Sequence, residues 1–193
     1  MLQAPYSPLS YEKTPDQNPR CVAAETESFR RCPRLFPRVL QRESFRDLGL
    51  NLDFVQDNHS RSSKGVLRGL HYQIGEAAQG KLVWVTSGTV FDVIVDLRQS
   101  SSTFGAWDGY VLSTETHDRL YVPPGCAHGF LVLSETCDFF YKVTTPYNSP
   151  AERALRWNDP DIGIDWPIEI GLEPILSDKD KAASSFKDCA KYA

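Results

Sequence analysis

The sequence has no apolar stretch that approaches the roughly 20 residues of a membrane-spanning helix. Its first residues, MLQAPYSPLSYEK, lack the basic region followed by an apolar block that marks a secretory signal. It also has no run rich in lysine or arginine, and 21 basic against 25 acidic residues leave a net charge of −4. We therefore expect a cytoplasmic protein with neither a membrane nor a nucleic acid as its partner.

Paired cysteine motifs are missing as well. The five cysteines contain no CxxC pair, and their odd number leaves one unpaired under any scheme: Cys21, Cys32, Cys126, Cys137 and Cys189. Reduced thiols in a reducing compartment are the favoured interpretation.

The chain has 193 residues, of which 41% are hydrophobic and 24% charged, as in an ordinary globular domain. Residues 1–33 are polar and punctuated by proline, so we expect an extended arm or a disordered tail there. Residues 34–193 are expected to form one domain without repeats or linkers. Within it, residues 41–48 (QRESFRDL) predict a short helix that ends near Gly49.

Residues 52–145 have the pattern of β-strands. Residues 81–97 (KLVWVTSGTVFDVIVDL) hold two β-branched and aromatic runs separated by Thr86, Ser87 and Gly88, which predicts a hairpin. Further short strands are predicted over residues 109–112, 119–122, 128–133 and 139–144. Short strands without interleaved helices favour an all-β barrel or jelly roll over a parallel α/β sheet.

Histidines on such strands raise the question of a metal site. Zinc and iron need three or four ligands, and strands commonly supply them as His-x-His, because alternate residues share a face. Here Gln73 stands two residues after His71, and Phe130 stands two residues after His128. A metal is therefore not favoured, and Cys126 near His128 is the only cysteine placed to act as a nucleophile.

Acid–base chemistry is the alternative. A histidine in a dry barrel mouth can accept a proton, and Tyr141 can return one from the other side of a substrate. Arg68 and Lys81 flank His71 and could hold phosphate or an enolate oxygen. Taken singly, each has an ordinary structural explanation: a hydrogen-bonded core histidine, aromatic packing or a solvated charge.

The run FVQDNHSRSSKGVLRGLHYQ (residues 54–73) resembles the signature of the dTDP-4-dehydrorhamnose 3,5-epimerase family. The similarity continues in order through AQGKLVWVTSGTVFDVIVDLR (78–98), SSTFGAW (101–107), VPPGCAHGFLVLSE (122–135), YK (141–142), WNDPDIGIDWP (157–167) and LSDKD (176–180). About 130 residues take part, so the resemblance is far more specific than any one motif.

The resemblance implies a cupin-type double-stranded β-helix (jelly roll) with short peripheral helices, and a homodimer. It implies an isomerase of dTDP-rhamnose biosynthesis that inverts C3 and C5 of dTDP-4-dehydro-6-deoxy-D-glucose and needs no metal or other cofactor. Three alternatives stay open: an epimerase of one carbon, a non-catalytic nucleotide-sugar-binding protein, and a metal-dependent cupin.

The resemblance also implies roles for individual residues. His71 would be the base, Asp180 its orienting carboxylate, and Tyr141 the proton donor on the opposite face. Lys81 would stabilise the enolate oxygen. The residues expected to bind the substrate are Arg34, Gln56, Asp57, Asn58, Arg68, His128, Glu152 and Lys179.

Two departures from the family pattern stand out. The stretch Arg-Gly-x-Phe-x-Glu, which contacts the nucleotide in the family, reads RLFPR at residues 34–38. Either the base contact is remodelled, or the proline-rich arm supplies it. Cys126 replaces a phenylalanine common in the family, and we interpret it as a change in the pocket wall, because the epimerase mechanism has no nucleophilic cysteine.

Overall fold

The computed structural model describes residues 10–13, 22–25, 42–47 and 49–193. The strands run, in chain order, over β1 (Ser10–Lys13), β2 (Val22–Glu25), β3 (Gln56–Ser63), β4 (Leu67–Gln73), β5 (Lys81–Ser87), β6 (Thr89–Asp96), β7 (Trp107–Ser113), β8 (Arg119–Val122), β9 (Cys126–Val132), β10 (Thr136–Val143) and β11 (Glu152–Ala154). The helices are α1 (Arg42–Asp47) and α2 (Asp178–Lys181), with 3₁₀ turns at Gly75–Ala77 and Ser149–Ala151. Within these ranges no helix is long and apolar enough to cross a membrane.

The strands form two antiparallel sheets. One sheet has the order β1-β2-β8-β5-β10-β3, and the other has the order β11-β4-β9-β6-β7. From β3 to β11 the chain crosses to the other sheet at every connection except that from β6 to β7. This alternation is the jelly-roll arrangement. It confirms the predicted all-β cupin-type fold with short peripheral helices.

The predicted hairpin over residues 81–97 is wrong, although both of its strands exist. β5 pairs with β8 and β10, whereas β6 pairs with β7 and β9. Gly88, with a φ of 85°, therefore lies in a turn that joins the two sheets. Val83 of β5 and Ile94 of β6 belong to the same buried cluster. Two apolar runs around a tight turn can pair through their backbones or face each other through their side chains, and the local pattern is the same.

The other predicted strands correspond to β7, β8, β9 and β10, with ends that differ by a few residues. β3 was not predicted as a strand, because QDNHSRSS contains no apolar residue. Within the described part of the chain it pairs with β10 alone. Such an edge strand tolerates polar side chains on both faces, since one edge and one face remain open to water.

The interior between the two sheets is filled by an apolar cluster from both. Phe130 of β9 and Phe139 of β10 belong to opposite sheets, and their rings stack with centroids 4.1 Å apart. Val83, Val90 and Leu120 are fully buried in the same cluster. Each such side chain contributes about 1.5–3 kcal/mol through burial. Tyr141, one of the predicted site residues, packs against this cluster.

A second apolar cluster covers the outer face of the five-stranded sheet. Leu67 and Leu131 from that sheet pack with Trp166 and Cys189 from the chain after β11. The hydroxyl of Tyr72 donates to the carbonyl oxygen of Ala190 at 2.6 Å. The last part of the chain is thereby fixed against the sheet, and it carries α2 to the side of β4.

Most of the predicted arm, residues 1–33, lies outside the described residues. Its described parts are β1 and β2, which pair with each other, and β2 also pairs with β8. The role and order of the arm remain predictions. The helix predicted over residues 41–48 is confirmed as α1, and Gly49 follows it with a φ of 79°.

Candidate active site

An irregularity in β4 sets the position of a histidine. The pairing of β4 with β9 shifts register between Arg68 and His71, and His71 then lies opposite His128. Gly69 lies in the shifted segment with a φ of 110°, and an added Cβ would be 2.6 Å from the Cα of Gly129. Only glycine fits so close to another backbone. Since opposed residues of an antiparallel pair share a face, His71 and His128 are neighbours on one side of the sheet.

His71 is paired with a buried carboxylate from the far end of the chain. Its Nε2 lies 2.6 Å from Oδ1 of Asp180, whose side chain is 2% exposed. Ser177 precedes α2 and donates its hydroxyl to Oδ2 of Asp180 at 2.6 Å. The backbone N–H of Gly69 donates to Oδ1 at 3.3 Å. These contacts hold the carboxylate in one orientation against the ring.

The charges of this pair follow from burial and hydrogen bonding. Burial lowers the pKa of His71, and the hydrogen bond to Asp180 opposes this change without cancelling it. Burial acts to raise the pKa of Asp180, but hydrogen bonds from His71 and Ser177 outweigh it and leave that pKa below its ordinary value. A neutral ring therefore faces an ionised carboxylate near neutral pH. Because a carboxylate only accepts, Nε2 carries the proton and Nδ1 keeps a free lone pair.

Lys81 begins β5 and lies buried next to this pair. Its Nζ donates to the carbonyl oxygen of His71 at 3.1 Å, and the residue is 8% exposed. Burial lowers its pKa to about 8, against the opposing charges of Asp92 and Glu152. The ammonium is thus charged at neutral pH and close to the base, where it can stabilise an oxyanion.

Tyr141 faces the histidine from the other sheet. It lies on β10, opposite Asn58 of β3, and packs against the interior cluster with its ring 6.3 Å from that of Phe139. The ring of His128 lies 6.1 Å from the same phenylalanine. Burial raises the pKa of Tyr141, and the charge of Glu152 adds to the effect. A protonated phenol and a neutral imidazole therefore stand on opposite walls of one interior.

His128 has a carboxylate partner of its own. Its Nε2 lies 2.9 Å and 3.0 Å from the two oxygens of Asp92 on β6. Both residues are buried, with Asp92 fully so. The sequence analysis predicted a site role for His128 but none for Asp92.

A polar network borders the site on the side of β11. Glu152 contacts the ammonium of Lys179 and accepts a hydrogen bond from the hydroxyl of Tyr147 at 2.8 Å. Burial acts to raise the pKa of Glu152, but these two partners outweigh it and lower the pKa. The two residues predicted for this side of the site are close to His71. The charge of Lys179 lowers the pKa of His71, and the charge of His71 lowers the pKa of Glu152.

The predicted residues of β3 and the start of β4 border the same interior. Gln56 donates its side-chain amide to Oδ1 of Asn58 at 2.7 Å, and Asn58 lies opposite Tyr141. Arg68 donates from Nε to the hydroxyl of Ser62 at 3.1 Å. Arg68 is exposed, so its guanidinium remains accessible to a ligand.

Asp57 is not brought to this group. Asp57 alternates with Asn58 along β3, so its side chain lies on the outer face of the sheet, where it binds Lys142 at 2.7 Å. His59 lies on that outer face too, 2.8 Å from Asp138. Arg34 lies outside the described residues. The binding roles of Asp57 and Arg34 therefore remain predictions from the resemblance alone.

Cys126 is 3% exposed and belongs to the interior apolar cluster. This placement agrees with its interpretation as part of a wall. In the described part of the chain, no group of three or more His, Cys, Asp or Glu side chains could hold a metal ion.

Three residues of the site were missed by the sequence analysis: Asp92, Ser177 and Tyr147. A signal existed for Asp92, because a carboxylate within the apolar run VFDVIV needs a partner when it is buried. Ser177 had the helix-capping signal of a serine three residues before an acidic residue. Tyr147 lies in a polar loop with no comparable pattern.

The chain is similar to proteins of known activity over most of its length. A model of the dTDP-4-dehydrorhamnose 3,5-epimerase family matches residues 20–188. An enzyme of that name from Pseudomonas aeruginosa is 54% identical over 140 residues, which are 72% of this chain and 76% of the relative.

Solved structures show the same likeness. The crystal structure of dTDP-4-dehydrorhamnose 3,5-epimerase from Elizabethkingia anophelis matches with a TM-score of 0.87 and 47% identity, covering 93% of this chain and 97% of the other. The enzyme of Legionella pneumophila in complex with dTDP-4-keto-L-rhamnose matches with a TM-score of 0.82 and 43% identity over 90% and 92% of the chains. The shared fold and a family match that spans most of the sequence lead to one conclusion: the chain belongs to the dTDP-4-dehydrorhamnose 3,5-epimerase family.

Proposed function

We propose that the protein epimerises C3 and C5 of dTDP-4-dehydro-6-deoxy-D-glucose and forms dTDP-4-dehydro-L-rhamnose for dTDP-rhamnose biosynthesis. The observation that carries this function is the placement of neutral His71, held by Asp180, across the barrel interior from protonated Tyr141. Two proton-transfer groups on opposite walls are what inversion at a carbon requires, because the proton leaves one face and returns to the other.

The chemistry depends on the C4 carbonyl of the sugar. Hydrogens on C3 and C5 are both alpha to it, so either can be removed when the electrons pass to the carbonyl oxygen as an enolate. Nδ1 of His71 takes the proton from carbon, and the Lys81 ammonium stabilises the enolate oxygen. Tyr141 then gives its hydroxyl proton to the opposite face of the same carbon. Solvent restores the proton of Tyr141 and removes the one on His71.

Substrate binding is proposed for the charged and amide groups around this centre. Arg68 suits the diphosphate, because a guanidinium binds phosphate oxygens in a bidentate manner. The other proposed contacts are with Arg34, Gln56, Asp57, Asn58, His128, Glu152 and Lys179, by resemblance to the family. The described members of this set other than Asp57 border one interior, which supports a common role.

We also propose a cytoplasmic homodimer that binds neither nucleic acid nor membrane. Among the described residues, Cys137 and Cys189 are buried thiols outside any disulfide, as suits a reducing compartment. The negative net charge speaks against nucleic acid. The dimer rests on the family resemblance and on the prevalence of two-fold oligomers, and light scattering should give twice the chain mass of 21.8 kDa.

Incubation of the enzyme with the 4-keto sugar in heavy water tests the proposal. Deuterium should enter the sugar at C3 and at C5, and a coupled 4-ketoreductase should then yield dTDP-L-rhamnose. Exchange at one carbon only would assign the protein as a single-carbon epimerase, and exchange at neither would exclude the proposed function.

His71→Ala should abolish turnover, because a general base contributes typically ~10²–10⁴-fold. His117→Asn is the matched control. His117 lies in a loop with a φ of 58°, a conformation that asparagine tolerates, so the control should keep the rate of the natural chain. A near-normal rate in His71→Ala would show that the base is another residue.

A further inference from the structure

Below the proposed catalytic pair lies a buried carboxylate for which the mechanism above has no use. Asp92 lies on β6 with no exposed surface. A buried carboxylate is costly unless charged or hydrogen-bonded partners compensate for the loss of water. Burial raises its pKa, while His128 and Lys81 act against that rise. The partners of Asp92 are therefore two residues of the proposed site.

The contact with His128 indicates the charge and the orientation of both groups. The two oxygens of Asp92 lie at nearly equal distances, 2.9 Å and 3.0 Å, from Nε2 of His128. We assign the shared proton to Nε2 of His128, because one N–H can serve two carboxylate oxygens at near-equal distances, whereas a protonated acid has one donor and one acceptor oxygen. Nε2 of His128 therefore carries a proton, and its Nδ1 forms no hydrogen bond within the described residues.

Lys81 faces charged groups from four elements. They are Asp92 on β6, Glu152 on β11, Lys179 on α2 and His71 on β4. Asp92 exerts the larger favourable effect of the two acids on the Lys81 charge. Its own position is fixed inside the sheet, whereas Glu152 is shared with Lys179 and Tyr147.

We propose that Asp92 is a positioning residue of the active site, which holds the His128 ring with Nδ1 left for the substrate and keeps the Lys81 ammonium charged. The inference rests on the proposed function, because His128 and Lys81 have site roles only there. Asp92 touches neither the substrate nor the reacting atoms in this assignment. It acts through two residues at once, as the buried partners of functional histidines commonly do.

The first test compares Asp92→Asn with Asp96→Asn. Asp96 lies four residues further along the same strand and is equally buried, but it pairs with Arg98. Asp92→Asn should lower kcat/KM roughly 10–100-fold, as loss of such a partner does, and should shift the alkaline limb of the pH profile to lower pH. Asp96→Asn should leave kcat/KM and the alkaline limb unchanged at a temperature where this variant is folded. An alkaline limb in Asp92→Asn at the same pH as in the natural chain would overturn the proposal.

The second test needs neither turnover nor a foldable variant. In the natural chain labelled with ¹⁵N-histidine, the His128 ring, assigned with His128→Gln, should show its proton on Nε2 at neutral pH. A proton on Nδ1 instead would overturn the proposal. If the chain failed to turn over the dTDP-sugar at all, the proposed function would fall, while the tautomer of His128 would still decide the role of Asp92.

Discussion

The charge of His71 is set by two opposing effects on its pKa, burial and the contact with Asp180. Burial removes water from the imidazolium and favours the neutral ring, whereas Asp180 favours the charged ring. Burial prevails, and the charges of Lys179 and Lys81 add to it. The result is an imidazole that is unprotonated at neutral pH, as the proposed base must be, next to a carboxylate that can stabilise the imidazolium.

The rate should therefore depend on pH in a bell shape. kcat/KM should rise along an acid limb centred below the ordinary histidine value of 6.5, because only neutral His71 accepts a proton. It should fall again near pH 8, the approximate pKa of Lys81, as the ammonium loses its charge. Initial rates measured from about pH 5 to about pH 10 check both limbs.

Lys81→Gln provides the control for that profile. The limb near pH 8 should disappear in this variant, and kcat should fall by roughly 10²–10³, the cost of removing one oxyanion donor. A limb that persists near pH 8 would assign it to another group.

Asp180→Asn should lower kcat by roughly 10²–10⁴, because the amide neither fixes the ring as a carboxylate does nor stabilises its charged form. The chain contains a matched control in Asp188. Ser185 donates to Asp188 at 2.6 Å, as Ser177 donates to Asp180, but Asp188 is exposed. Asp188→Asn should keep the normal rate in the coupled assay. Equal losses of kcat in the two variants would mean that the serine–aspartate contact, and not the pairing of Asp180 with His71, is what the rate depends on.

At this scale the sequence predicted which residues lie together where a motif was continuous, whereas their catalytic roles stay predictions. His71, Lys81, Tyr141 and Asp180 were assigned through resemblance, and the structure places them around one interior. Asp57 was grouped with its neighbours because β3 had not been recognised as a strand, so the alternation of side chains could not be applied to it.

Among the elements, β4 has the strongest influence on the site. A strand without the register shift would turn His71 to the other face, since one residue of slip reverses every side chain. The shift depends on close contact between Gly69 and the backbone of β9. A feature of packing thus decides on which side of the sheet the base lies.

Gly69→Ala should destabilise the fold by about 3 kcal/mol or more, because the added Cβ meets backbone and the φ of 110° is strained for alanine. Gly65→Ala is the control, since Gly65 also has a positive φ, 79°, but no atom near an added Cβ. Its cost should be about 1 kcal/mol from backbone strain alone. Urea denaturation measures both, and equal losses would mean that the close contact does not matter.

The elements also show where local pattern stops being informative. β7 to β10 could be predicted as short runs between turn-rich stretches, and β9 is buried at every position. The pairing partners of β5 and β6 could not be predicted in this way. Their partners are β8 and β10 for β5, and β7 and β9 for β6, all of which lie further along the sequence.

For the molecule as a whole, a buried ion pair links stability to pH. Asp96 is fully buried and accepts from Arg98 at 2.7 Å and from Thr103 at 2.7 Å. Burial acts to raise its pKa, but these hydrogen bonds outweigh it and lower the pKa to about 2. A lowered pKa in the folded state means that stability is present above the unfolded value of 3.8 and is lost as pH falls.

Asp96→Asn should therefore lower the free energy of unfolding at neutral pH by about 2 kcal/mol, the value that corresponds to this shift. The difference between the variant and the natural chain should shrink as the pH falls from about 4 towards about 2. Urea denaturation at several pH values measures it. A difference that stays constant over that range would show that packing rather than charge is responsible.

The base and its carboxylate are 109 residues apart in the sequence, and this separation has a consequence for the life of the protein. A nascent chain that has left the ribosome up to β11 already carries the histidine, the lysine and the tyrosine, yet it has no carboxylate to orient the ring. On the proposed mechanism, the full rate requires that residue 180 has emerged and docked. By the same reasoning, a protease that cuts the tail upstream of residue 180 should lower the rate at least as much as Asp180→Asn does.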